Sequence, residues 1–167
     1  MDVYAVFYRK VIAASIGGSI FAILFGLFVP DPTSSPANSI WQYISSVLIS
    51  IPVYLMYSFP FILIYGGITS LLSEIISRRM TKNQKAEFVL SGALHLAFGS
   101  VFFLIFNPYA GTLSLAAAFL FFVTDRYLQN KRASYRLTQA LMSLEIPIGV
   151  WILFMGLVYL QSLLTGV

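Results

Sequence analysis

The sequence predicts an all-α fold, a polytopic membrane helix bundle with about five spans and interfacial helical segments, built as one domain over residues 1–167. Three observations predict it. Of the residues, 59% are hydrophobic and only 10% charged, with mean hydropathy +0.86, whereas a soluble domain is roughly a quarter charged. The apolar residues form long runs. Val11–Val29 and Phe88–Phe106 are each 19 residues without an acid, Lys or Arg, and at ~1.5 Å per residue each nearly fills a ~30 Å hydrocarbon core. The ten basic residues fall in short blocks between those runs.

The first span is drawn at 11–29, preceded by Arg9 and Lys10 and ended by "PDPTSSPAN". Ser35-Pro36-Ala37 resembles a signal-cleavage site, but signal h-regions run about 7–15 residues, so a retained anchor is expected. Ala14, Gly18, Ala22 and Gly26 recur every fourth position and make a smooth ribbon for close helix packing. The expected neighbour is a helix of the same chain, and the alternative is a second copy of the protein.

Ile40–Ile76 is too long for one upright crossing. Its start is amphipathic, with Ile40, Trp41, Ile44, Val47, Leu48 and Ile51 on one face. It reads as an interfacial helix capped by Asn38 or Ser39 and anchored by Trp41 and Tyr43, entering the membrane near Pro52. The second span is then 52–76, kinked at Pro60. The third is 88–106, stopped by "NPYAG". The fourth run, Gly111–Thr124, covers only about 21 Å and is drawn at 109–126, with Arg126 snorkelling toward the headgroups. The fifth span is 146–164, within the run Leu137–Leu164.

Five crossings place every base on one side; two crossings within 40–76 would put the Arg78 block opposite the N-terminus. The positive-inside rule therefore predicts a cytoplasmic N-terminus and an extracytoplasmic C-terminus.

Soluble-enzyme signatures are missing. There is no cysteine, no phosphate loop, no His-Glu-x-x-His and no Gly-x-Ser-x-Gly, and the single histidine excludes multi-His metal centres. The chain is read as no enzyme, with no metal or cofactor. "LSGALH" sets Ser91 and His95 on one helix but lacks the partners of an intramembrane hydrolase. "DRY" at Asp125–Tyr127 matches a receptor tripeptide by chance, and Glu74 with Arg78 is a structural i,i+4 pair.

The candidate site is therefore an intramembrane polar pair, His95 and Glu145, because ionisable groups at membrane depth are functional candidates by default. Glu145 lies ~12 Å deep if its helix starts near Leu137. The favoured alternative lays 137–144 flat on the cytoplasmic surface, starts the span at Ile146, and leaves Glu145 at the helix N-terminus with Pro147 in the first turn. His95 is either half of a proton-carrying pair or a neutral ring satisfied by Ser91 or a carbonyl, the latter being expected.

The stretch "YSFPFILIYGGITSLLSEIIS", Tyr57–Ser77, resembles a segment of small multi-pass membrane proteins of unknown function (UPF type) from Bacillus-type bacteria. The resemblance implies a bacterial plasma-membrane protein and assigns no activity or functional residue. The expected function is accessory, regulatory or immunity-like. The alternative is a small transporter or channel subunit with a path along His95, Glu145, Tyr54, Tyr57 and Tyr65. Expected partners are the lipid bilayer, with anionic headgroups at the basic cytoplasmic loops, and a second copy or another membrane protein; nucleic acid is not expected.

Overall fold

The computed structural model describes residues 3–30, 39–132 and 134–165, and the regular structure in them is helical throughout. The order is α1 (Val3–Phe28), α2 (Ile40–Phe61), a π turn (Ile62–Gly66), α3 (Gly67–Met80), α4 (Gln84–Ile105), α5 (Pro108–Lys131), α6 (Leu137–Ser143) and α7 (Glu145–Thr165). Five stretches are long and apolar enough to cross a membrane: Val3–Phe28, Ile40–Met80, Gln84–Ile105, Pro108–Lys131 and Leu137–Leu164.

α1 is the central helix, contacting α2, α3, α5, α6 and α7. Its small ribbon explains why. Ala14 and Ala22 are fully buried, and a Cβ on Gly26 would stand 3.2 Å from the Ile51 backbone nitrogen, so α2 lies almost directly on α1. A Cβ on Gly18 would meet Phe59 at 3.2 Å. The chain's own helices cover this ribbon, leaving no free surface on it for a second copy. The last carbonyls of α1 have no partner within the helix. Tyr43 Oη donates to the Leu27 carbonyl at 2.6 Å, Tyr54 Oη to Val29 at 2.7 Å, and Ser50 Oγ to Pro30. The hydroxyls of α2 thus cap α1.

Three expectations need correction here. The interfacial helix expected at 40–51 is no separate element, because α2 runs unbroken through Pro52. Ser39 caps it, its hydroxyl accepting from the Gln42 N–H at 3.2 Å; Asn38 and the Ser35–Ala37 site lie outside the described residues. Second, Pro60 leads into a change of helix type: two residues on, the chain widens into the π turn, absorbing the missing backbone bond without a break. Third, Arg9 and Lys10 do not precede the first helix but lie inside it and are buried.

Residues 137–143 form a helix of their own, with a turn at Leu144 before Glu145 opens α7. α6 does not lie apart from the bundle. Ala140 joins the core cluster of Ile12, Ala14 and Leu128, and Ser143 Oγ donates to Ser15 Oγ at 3.2 Å. The stretch Leu137–Leu164, mostly α7, is the least buried of the five, at 11% against 56% for α1.

Candidate functional site

The buried residues of α3 are Thr69, Ser70, Ser73, Glu74 and Ser77. They recur at one-turn spacing, so the inward face of this helix is its polar face. The serines spend their hydroxyls locally: Ser73 donates to the Thr69 carbonyl at 2.7 Å and Ser77 to the Glu74 carbonyl at 3.1 Å. Glu74 alone reaches across the bundle. Its Oε2 accepts from Arg9 Nη2 at 2.5 Å and lies 2.9 Å from Lys10 Nζ, while Oε1 accepts from Arg78 Nη2 at 2.7 Å.

Asp125 on α5 completes the group. Arg9 Nε donates to Oδ1 at 2.8 Å and Lys10 Nζ to Oδ2 at 2.6 Å. The four side chains are 8%, 3%, 0% and 1% exposed for Arg9, Lys10, Glu74 and Asp125. Two cations and two anions, each bridging both partners, form a neutral square that joins α1, α3 and α5. Desolvating single charges is prohibitive, and only this mutual saturation makes the burial tolerable.

A second layer flanks the square. Arg78 Nε and Arg126 Nη1 approach Glu87 Oε1 at 3.3 and 3.8 Å. Arg126 Nη2 donates to Ser91 Oγ at 2.5 Å, and its guanidinium lies 5.2 Å from the Phe122 ring centroid and 5.7 Å from that of Phe88. Arg126 therefore does not snorkel; stacking between two phenyl rings holds it inside the bundle. These contacts bring the start of α1, the end of α3, the start of α4 and the end of α5 to one charged end.

One turn further on, beside Phe121 and Thr69, lies a cavity of about 450 Å³. Its walls come from α1 (Phe21, Phe25), α2 (Tyr54, Tyr57), the π turn (Tyr65), α4 (Phe102) and α5 (Phe121). His95 sits on its wall, 2% exposed, its ring 5.4 Å from Phe121 and 6.4 Å from Phe122. Among the described residues His95 has no side-chain partner, and the Ala118 backbone meets its ring outside good hydrogen-bond geometry; Ser58 Oγ, another lining residue, has no hydrogen-bond partner. Buried polar groups are nearly always well paired, so two poorly satisfied ones on one cavity call for an explanation.

The candidate pair of His95 and Glu145 is not in contact. The Ser143–Ser15 contact sets the start of α7 six residues beyond Arg9, about 9 Å toward the uncharged end. His95 lies near that level, because its neighbour Phe121 meets Gly17 at 3.4 Å from an added Cβ. The two residues lie at similar levels on opposite flanks, since α7 packs on α2 and α1 while α4 packs on α5 and α3. Glu145 is exposed and makes no ion pair with a described residue. His95 is not satisfied by Ser91 either, because that hydroxyl serves Arg126.

Of the path residues expected from the sequence, His95, Tyr54, Tyr57 and Tyr65 share the cavity and Glu145 stands apart from it. The charged square is the feature missed in the sequence. In the sequence Asp125 is hidden in a tripeptide of chance resemblance, and the visible Glu74–Arg78 pair is one of three ion pairs that Glu74 makes. The available signal was the one-turn repeat of polar residues from Thr69 to Ser77 in an apolar run. Comparison with known protein families, characterised proteins and solved structures finds no match. The functional reading rests on geometry.

Proposed function

We propose that the protein is an integral protein of a bacterial cytoplasmic membrane, crossing it five times with the charged end in the cytoplasm, and that it acts as an accessory or regulatory protein by holding a small lipophilic molecule in its cavity. One observation carries this reading: an aromatic-walled cavity lined by two polar groups without a well-formed hydrogen bond, His95 and Ser58. Ligand sites are concave and mostly apolar, with a few polar groups setting orientation, and about 300–1,000 Å³ is their usual size. The exposed bases Arg79, Lys82, Lys85, Lys131, Arg132 and Arg136 at the charged end support this orientation. These also suit anionic headgroups.

Five tyrosine and histidine side chains on one cavity favour the carrier alternative in part. Against an ion or polar-solute path stands the square itself, whose side chains are saturated by one another and at most 8% exposed. Binding without through-conduction fits both facts.

The test is photolabelling in vesicles with an uncharged, diazirine-bearing alkyl probe, followed by peptide mapping. Adducts are expected on cavity residues such as Phe102 and on lipid-facing α7. Ala117→Phe, which fills the cavity, removes the first set and leaves the second. Equal labelling of Phe102 in the filled variant overturns the reading.

A further inference from the structure

The cavity wall is open on one side. α4 packs against α5 and α3, whereas α2 is covered by α1 and α7. Tyr57 and Phe61 on α2 and Phe106 at the end of α4 all line the cavity, yet they are 65%, 66% and 65% exposed. Residues that line a cavity and also face outward mark its mouth. This mouth lies sideways, between α2 and α4, in the half of the bundle away from the ion-paired end. Below it Tyr65 closes the gap: its hydroxyl donates to the Phe98 carbonyl at 2.8 Å and its ring meets Phe102 edge-on at 5.2 Å.

The polar groups are placed unequally along this space. His95 is at the inner floor, 2% exposed. Ser58 lies eight residues before Gly66, which meets the same Phe121 ring as His95, so it sits about 12 Å nearer the mouth along the helix. Among the described residues no charged side chain lines this space. Arg9, Lys10, Glu74 and Asp125 are committed to one another, and an unpaired ion in an apolar cavity pays a prohibitive desolvation cost.

Resting on the reading of the cavity as a binding site, we infer that its ligand is an uncharged lipid which enters sideways from the membrane between α2 and α4, and seats a hydrogen-bonding oxygen (hydroxyl, carbonyl or protonated carboxyl) against His95 with its apolar tail toward the mouth. A neutral imidazole offers one donor and one acceptor, which suits each of these heads. The aromatic walls take the apolar body, and lateral entry keeps that body out of water.

Two long-chain alcohols in vesicles test this, one bearing the diazirine beside the hydroxyl and the other at the chain end. The head-side probe is expected to label Ala118 and Phe121, and the tail-end probe Tyr57 and Phe61. His95→Leu should lower head-side labelling about tenfold, whereas His95→Gln, which keeps a donor and an acceptor, retains most of it. A long-chain sulfate, charged throughout the pH range, should label the cavity at least about tenfold less than the alcohol. Reversed head and tail positions, or equal labelling by the sulfate, overturn the inference while leaving the cavity a binding site. Labelling confined to α7 with every probe overturns both.

Discussion

Asp125 and Glu74 are held by the same two cations, and this sharing decides what each substitution does. Asp125→Asn leaves Arg9 and Lys10 facing a single carboxylate in a place with almost no water. Such half-broken buried pairs cost about 3–5 kcal/mol, while replacing both partners with apolar residues is often near neutral. Unfolding in mild detergent should therefore show Asp125→Asn strongly destabilised and the double variant Lys10→Met/Asp125→Leu recovering much of the loss. A double variant no better than the single one contradicts the square as described. His95 is the opposite case. Its ring makes no well-formed hydrogen bond, only an approach to the Ala118 backbone, and carries a desolvation penalty of up to about 3 kcal/mol, so His95→Leu is expected to raise the unfolding midpoint of the ligand-free protein. A lowered midpoint means that the Ala118 backbone satisfies the ring and contradicts its role as a free binding group. A residue kept at a cost to stability is the signature of a binding group rather than a packing one.

At the scale of elements, glycines separate tight helix contacts from open ones. A Cβ at Gly26 runs into Ile51, including its backbone nitrogen at 3.2 Å, whereas nothing lies within 4 Å of one at Gly149 or Gly156. Gly26→Ala should cost about 1–3 kcal/mol through overpacking. Gly149→Ala should be neutral or gain up to about 1 kcal/mol of helix propensity, both read from the same unfolding assay; equal effects would mean that α7 is buried against something. The spans were legible in the sequence because run length and charge are local properties. Helix ends were less so: α1 continues through Arg9 and Lys10 because their charges are met by residues up to 116 positions away. Depth along a helix can be counted from the sequence, which is why His95 and Glu145 were assigned similar levels. Direction around the bundle depends on which helices neighbour which, and there the pairing failed. Pro60 announced a disturbance, but whether it becomes a kink or a π turn is decided by packing against α1.

Across the whole molecule, charge and cavity divide the bundle between two ends. From Val11 to Ser73 the one formally charged residue is Asp31, outside the described residues, and from Phe88 to Thr124 there is none beyond the titratable His95. The basic blocks, by contrast, meet at one end with their carboxylate partners. The block pattern was legible because insertion orientation acts on whole loops. The closed square within it was not, being a product of three helices meeting. An ion-paired base beneath an uncharged, laterally open cavity is the arrangement expected of a protein that draws its ligand from the bilayer. The chain contains no cysteine, so single cysteines at Ser34, Lys82, Arg132 and Leu164 report their own compartment without background. In intact cells a membrane-impermeant maleimide should label the variants at 34 and 164, and should reach those at 82 and 132 only after permeabilisation. Labelling of 82 or 132 from outside, or of all four alike, contradicts the five-span arrangement.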